Sequence, residues 1–336
     1  PVMGSPSQPV LPQRVFITGA NGSIGRALAQ RYRSLGAEVR GIDFKADPAW
    51  NVVAGDVRQP AAWRNQLAGV DLVLHTAAVV SMTAPMRAAW DVNCDGTRRL
   101  LTACPELGVG RFVQLSSVAA FGFDFPENVD ETHPLITNGN SYVDTKITSE
   151  HTVLAAHASG EIDCTIIRPG DVYGPASRAW VIVPLEMMRA GQFLLPDRGR
   201  GVFSPVYVDD LVDGIVLAAG KPEGAGQIFT LTSGAGVSCA EFFGHHWRWL
   251  GKQGSPRTLP TGLTIALAEA GGGIARLFGR STELGRGSVG LLARPATYSI
   301  EKARRLLGYS PQVDLAEGMR RSEAWARDKG LCGSKP

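Results

Sequence analysis

The chain has 336 residues, 44% of them hydrophobic and 19% charged, with a formal net charge of +3. That length supports one large domain with a buried core, and the balance is that of a globular protein, not a disordered or fibrous one. The small net charge and the lack of any Lys/Arg-rich run exclude a nucleic-acid footprint, which needs clustered basic residues to displace counterions.

The opening PVMGSPSQPVLPQ is rich in Pro and Ser and lacks the apolar centre of a secretory signal, so residues 1–12 are expected to form a flexible tail. RVFIT (Arg14 to Thr18) reads as a strand, and SIGRALAQRYRSLG as a helix ending at Gly36. EVRGID, NVVAGD and DLVLHTAA read as the second, third and fourth strands. A helical pattern runs from Ala88 to Leu107. RFVQLSS is a further strand, SYVDTKITSEHTVLAAHA a helix, and DCTIIRP closes the series. Short strands alternating with helices of this length imply right-handed crossovers. The expected fold class is therefore α/β, a doubly wound parallel sheet.

After Pro169 the rhythm changes to Gly/Pro-rich loops between shorter elements, among them VYVDDLVDGIVLAA, GQIFTLTSG and SIEKARRLLGYSP. This places a dinucleotide-binding domain at 13–170. Residues 171–336 are expected to form mainly a smaller substrate lobe, with some segments returning to the sheet.

Five scattered cysteines without a CxxC pair read as idle thiols in a reducing, cytoplasmic setting. The six histidines lack metal-ligand spacing, and no metal is expected. No uncharged apolar run reaches the roughly 18 residues of a membrane span. The nearest, Leu263 to Gly279, carries Glu269, Arg276 and three consecutive glycines, and reads as a lid, a membrane-surface contact or a packing helix.

ITGANGSIG places Gly19, Gly22 and Gly25 directly after the first strand and at the start of the first helix. Such a turn aims backbone N–H groups and a helix N-terminus at an anion, and glycine keeps side chains away from it. The spacing is GxxGxxG, not the commoner GxGxxG. Asp43 follows the second strand about 20 residues on, where an acid accepts hydrogen bonds from adenosine ribose hydroxyls. A carboxylate there repels a 2′-phosphate, so NAD is the expected cofactor, with NADP second because of Lys45. Asp56, after the third strand, is placed near the adenine.

SYVDTK holds Tyr142 and Lys146 at i and i+4, which stacks them on one helix face. A phenol titrates near pH 10, and a fixed ammonium favours its ionised form. Tyr142 can then exchange a proton with a substrate alcohol or carbonyl, while Ser117, at a strand end, bonds the substrate oxygen. Ser117, Tyr142 and Lys146 are the expected catalytic set.

These residues together resemble the extended short-chain dehydrogenase/reductase superfamily, within the NAD-dependent epimerase/dehydratase group. TGANGSIG is similar to its cofactor turn, HTAA (His75 to Ala78) to its fourth-strand end, and NCDGT (Asn93 to Thr97) to its helix motif. LSSVAAFG, YVDTK, RPGDVYGP and VYVDDLVDG resemble its later landmarks. Within the group the chain is most similar to 3β-hydroxysteroid dehydrogenase-like members. The resemblance implies a Rossmann sheet with a small C-terminal substrate lobe, and a homodimer. It implies cofactor contacts at Gly19, Asn21, Gly22, Ser23, Ile24, Gly25, Asp43, Asp56, Val57, Ala77, Tyr142, Lys146 and Pro169. Val80, Ser81, Ser117, Val118, Asp171 and Val172 are the implied substrate contacts, and Asn93 is implied to brace the active-site helix.

Two departures bear on the substrate. Sugar-nucleotide members usually carry Asn where this chain has Asp171, whose charge would oppose a diphosphate. Val118 and Ala119 stand where dehydratases carry an Asp-Glu pair. AAVVSMTAP (Ala77 to Pro85), AAFGF (Ala119 to Phe123) and the Leu263 segment are apolar or neutral and are expected to face substrate. A bulky apolar secondary alcohol or ketone, steroid- or terpenoid-like, is the first expectation. A sugar-nucleotide epimerase is the second, and a non-catalytic NAD-binding sensor the third.

Overall fold

In the first strand Val15, Phe16 and Ile17 are all fully buried, and their side chains alternate between the two faces of a sheet. A strand buried on both faces needs covering layers above and below, and the chain supplies helices for each. A computed structural model describes residues 8–278 and 282–332. In chain order the elements are β1 (Arg14–Thr18), α1 (Ser23–Ser34), β2 (Glu38–Asp43), β3 (Val52–Ala54), β4 (Leu72–His75), α2 (Met86–Trp90), α3 (Thr97–Glu106) and β5 (Arg111–Leu115). There follow α4 (Ser141–Ala158), β6 (Asp163–Pro169), β7 (Asp171–Tyr173), α5 (Val183–Arg189), β8 (Val202–Phe203), β9 (Pro205–Tyr207), α6 (Val208–Gly220) and β10 (Gln227–Leu231). The chain then runs through β11 (Val237–Ser238), α7 (Cys239–Trp249), α8 (Thr261–Leu277), α9 (Arg286–Leu292), α10 (Glu301–Leu307) and α11 (Leu315–Asp328).

Seven strands form one sheet in the order β10-β6-β5-β4-β1-β2-β3, and every pairing in it is parallel. This is the Rossmann-type doubly wound α/β sheet. The strand order reverses between β1 and β4, and the crevice at their carboxyl ends is where such sheets bind ligands. On one face Val15, Ile17 and Leu74 pack with α1, α6 and α10; on the other Phe16, Val73 and Phe112 pack with α3 and α4. β10, from the GQIFTLTSG stretch beyond Pro169, is the seventh strand. The parallel pair β7–β9 and the antiparallel pair β8–β11 lie outside the sheet. A separate apolar cluster rich in aromatics forms there, with Phe203 and Phe242 stacked at a centroid distance of 3.9 Å.

Several expectations are corrected. The third strand covers only Val52–Ala54, because the N–H of Gly55 bonds the carbonyl of Asp43 and the chain turns away at Asp56. The Ala88 to Leu107 pattern is helical as far as Glu106, but a wider π-type turn at Asp91–Gly96 lies inside it, between α2 and α3. Such insertions gather at functional sites because they re-aim a side chain. Of the expected tail, Val10 is tied down, its N–H donating to Gly220 O at 2.8 Å. Residues 1–7 of that tail, Gly279 of the apolar segment and residues 333–336 lie outside the described residues. All five cysteines are free and buried. Among the described residues no helix is long and apolar enough to cross a membrane.

Phe112 is fully buried, in the cluster beneath α3 and α4 and against the ring of His75 at 5.8 Å. Phe112→Ala removes those contacts and leaves a cavity, so equilibrium unfolding in urea is expected to show a loss of about 3–5 kcal/mol.

Candidate active site

The turn after β1 is shaped by steric need. Gly19 has φ +70°, and a Cβ there would lie 2.9 Å from the backbone N of Ala77. A Cβ on Gly25 would run into the carbonyl oxygen of Gly19. Glycine at both positions therefore lets α1 close onto the strand end, with β4 passing beside it. Gly22 is the N-cap of α1, offers no side chain to its first turn, and no acid follows in that turn. Ser23 and Ile24 are its half-buried opening residues. The helix N-terminus thus keeps its positive end for an anion. Together the bare turn and the uncapped amides fit a dinucleotide pyrophosphate.

Around this turn the polar groups are well defined. Asp43 accepts from the N–H of Asn21 at 2.9 Å and of Phe44 at 2.7 Å, so the carboxylate is held beside the turn. The Asn21 amide donates to Lys45 O at 2.7 Å and accepts from Arg26. Arg26 is in turn ion-paired with Asp47 and lies over the Trp50 ring. Asp56 is engaged by Arg58, whose bond holds its carboxyl below the usual range. Val57 packs inward, Ala77 donates its N–H to Thr18 Oγ1 at 3.3 Å, and Pro169 ends β6 buried.

Ser117, Tyr142 and Lys146 come together at the carboxyl end of β5. Asn140 caps α4, accepting from the N–H groups of Tyr142 and Val143, and so sets where Tyr142 begins the helix. Tyr142 is 8% and Lys146 4% exposed, with the ammonium 5.7 Å from the phenol ring centroid. Lys146 Nζ donates to Leu115 O at 2.9 Å. Ser117 caps a short turn, accepting from Ala119 N at 3.1 Å, and its hydroxyl is among the groups that act on the Tyr142 phenol. Burial pushes the phenol up; the Ser117 hydroxyl opposes this, and the Asp171 carboxylate adds to it. Burial lowers the Lys146 ammonium to about 8, with Glu150 opposing.

Two neighbours brace the set. Asn93, inside the π-type turn, accepts from Val79 N at 2.8 Å and donates to Thr145 Oγ1 on α4 at 3.0 Å. His75 lies between Thr18 Oγ1 at 2.6 Å and Thr97 Oγ1 at 3.0 Å, and burial lowers it to about 3. It is a neutral linker between β1, β4 and α3.

The residues expected to meet substrate are placed unevenly. Val80 is 65% exposed, while Ser81 donates to Glu283 Oε1 at 2.6 Å and Thr83 to Thr282 O at 2.6 Å. The 81–83 loop is thus clasped by the segment ahead of α9. Val172, in β7, is half-buried against the aromatic cluster. Val118 packs with Phe121, Phe125 and Tyr298. The AAFGF stretch is corrected: Ala119, Ala120 and Phe121 are core, not substrate-facing, because they turn under α4. The outer face of α8 exposes Leu263, Leu267, Ile274 and Leu277.

Asp171 is also corrected. Its carboxylate is buried and ion-paired with Arg294, and accepts from Ser204 N at 2.9 Å. Its charge is therefore taken up internally, and the argument that it opposes a diphosphate falls. Arg294 carried no sequence signal, being 123 residues away. Glu150 and Arg168, a buried pair beneath the site, were also missed. The signal for Glu150 was its position one turn beyond Lys146.

Residues 15–231 match the model of the NAD dependent epimerase/dehydratase family. The chain is 29% identical over 318 residues to a 4-hydroxy-2-methyl-3-oxo-4-farnesyl-3,4-dihydroquinoline-1-oxide ketoreductase of Stigmatella aurantiaca, covering 91% of this chain and 94% of that one. It is 30% identical over 261 residues to a 3-beta-hydroxysteroid dehydrogenase of Mycolicibacterium neoaurum, covering 71% of each. The solved structure of MoeE5 in complex with UDP-glucose and NAD superposes with a TM-score of 0.76 at 23% identity, covering 94% of this chain and 99% of the other.

The buried His75 has a testable consequence. Its folded value lies below its unfolded value, so between the two the unfolded chain binds the extra proton. Stability is complete above about pH 6.5 and falls as the pH is lowered towards 3. Urea unfolding at pH 6.5 and at pH 5 is expected to differ by about 2 kcal/mol from this group, a component that His75→Gln removes.

Proposed function

Because this chain belongs to the NAD dependent epimerase/dehydratase family, we propose that it interconverts a secondary alcohol and a ketone on a bulky, apolar, steroid- or terpenoid-like substrate. The enzyme class itself is an oxidoreductase of the NAD-dependent short-chain dehydrogenase/reductase type. One observation carries the reading: Ser117, Tyr142 and Lys146 are gathered, mostly out of water, at the carboxyl end of β5. Tyr142 takes the proton of the alcohol, or returns it to the carbonyl. Ser117 bonds the same oxygen. Lys146 offsets charge on the phenolate, an effect enhanced by low surrounding dielectric.

The turn Gly19–Gly25 would hold the pyrophosphate through backbone N–H groups at Gly22, Ser23 and Ile24. Asp43 would accept the ribose hydroxyls, with Asn21 fixing its place, and Asp56 and Val57 would meet the adenine. Ala77, Pro169, Tyr142 and Lys146 would border the nicotinamide half. The dinucleotide supplies the redox chemistry, accepting or returning a hydride. NAD is the preferred form, because Asp43 lies beside the turn and Arg26 is already engaged by Asp47. Asp43→Asn is expected to narrow the NAD-over-NADP preference at least tenfold, read as the ratio of the two dissociation constants by calorimetry.

Two features support an apolar substrate. No acid follows Ser117, so elimination of water lacks its proton-transfer pair. The relatives named above include a reductase of a farnesylated quinoline oxide and a hydroxysteroid dehydrogenase. Incubation with NAD and a panel of steroid and terpenoid alcohols should produce NADH absorbance. Tyr142→Phe should lower kcat by about 10²–10⁴-fold with the fold intact. Turnover of UDP-glucose without net NADH, and none of the alcohols, would replace this reading with epimerisation.

A further inference from the structure

Beneath the catalytic groups lies a charged pair that the proposed reaction does not use. Glu150 stands one helical turn past Lys146 on α4, the same step that separates Lys146 from Tyr142. It is 1% exposed. Its carboxylate accepts from Arg168 at 2.9 and 2.6 Å and from the Ser116 hydroxyl at 2.5 Å. Ser116 is the neighbour of Ser117, and Arg168 the neighbour of Pro169 at the end of β6. One carboxylate thus ties α4 to β5 and β6 just below the reacting groups.

We propose that Glu150 is a positioning residue for proton transfer: clamped by Arg168 and Ser116, it holds α4 in register against β5 and supplies the countercharge that keeps the Lys146 amine an ammonium. This rests on reading Tyr142 and Lys146 as the proton-transfer pair. Among the described residues the groups facing Lys146 are these. From β5 comes the Leu115 carbonyl, from β4 the neutral His75, from the π-type turn the Cys94 thiol, and from α4 itself Tyr142 and Glu150. Glu150 is the one carboxylate among them. Arg168, behind it, would add a repelling cation if Glu150 were neutral. A bare ammonium out of water is otherwise costly, and burial already draws Lys146 down to about 8.

The test is a thermodynamic cycle read against pH. The folded Lys146 loses its proton below the value of the unfolded chain, so the unfolded state holds more protons across that window and stability rises with pH through it. Glu150→Gln should move the lower edge of that rise down by about one pH unit. The difference should vanish in the Lys146→Met background. A merely structural role would lower stability equally at every pH. Should Glu150→Gln fail to fold, Glu150→Met with Arg168→Met replaces the pair by apolar side chains and keeps the comparison. On an alcohol substrate, the alkaline limb of kcat/KM should fall about one unit earlier in the variant, and Glu150→Asp should restore it. Parallel stability curves, a difference that survives Lys146→Met, or an unmoved alkaline limb each overturn the proposal. If no alcohol is turned over, the proposed function fails by itself and the stability cycle decides this inference alone.

Discussion

An ammonium held out of water is the constraint around which this molecule is arranged. Lys146 is nearly inaccessible, and its Nζ donates to the carbonyl of Leu115, the last residue of β5. A strand's last carbonyl has no ladder partner further on, so it is available to a side chain from the layer above. That bond is one of several ties that hold α4 over the strand end. Together these ties set where Tyr142, one turn earlier, meets Ser117, two residues past the strand. A lysine in a solvated position would exert far less pull on a phenol, because water screens the charge.

Holding a helix over a strand end needs support from several directions, and most of the unusual features nearby provide it. The π-type turn at Asp91–Gly96 rotates Asn93 to reach both Val79 beyond β4 and Thr145 on α4. A regular helix from Ala88 to Leu107 would carry that amide elsewhere. His75 joins Thr18 and Thr97 across the reversal between β1 and β4, the same point at which Gly19 brings the turn against Ala77. The glycine turn after β1 and the region around Ser117, Tyr142 and Lys146 are therefore joined through the end of β4.

Much of this was legible because local chemistry dictates it. Strand–turn–helix order, the Asp43 position and the i, i+4 spacing of Tyr142 and Lys146 are short-range signals that tertiary structure merely assembles. What escaped was set by contacts distant in sequence. A glutamate on a helix usually reads as part of a solvated face, so Glu150 stood out only once Arg168 of β6 was seen against it. Nothing near Arg294 announces that it neutralises Asp171. The AAFGF stretch misled for a related reason: apolar residues beside a catalytic serine are as useful under a helix as against a ligand, and periodicity does not distinguish the two.

The two buried ion pairs resolve into a pattern when taken together. Glu150–Arg168 joins α4 to β6, and Asp171–Arg294 lies among the elements that follow β6. The Arg168 guanidinium lies over the Phe121 ring, Phe121 packs against Tyr298, and Tyr298 faces Arg294. An aromatic bridge thus spans the two pairs. In each pair the opposite charges are joined by hydrogen bonds, and desolvation consumes much of their attraction.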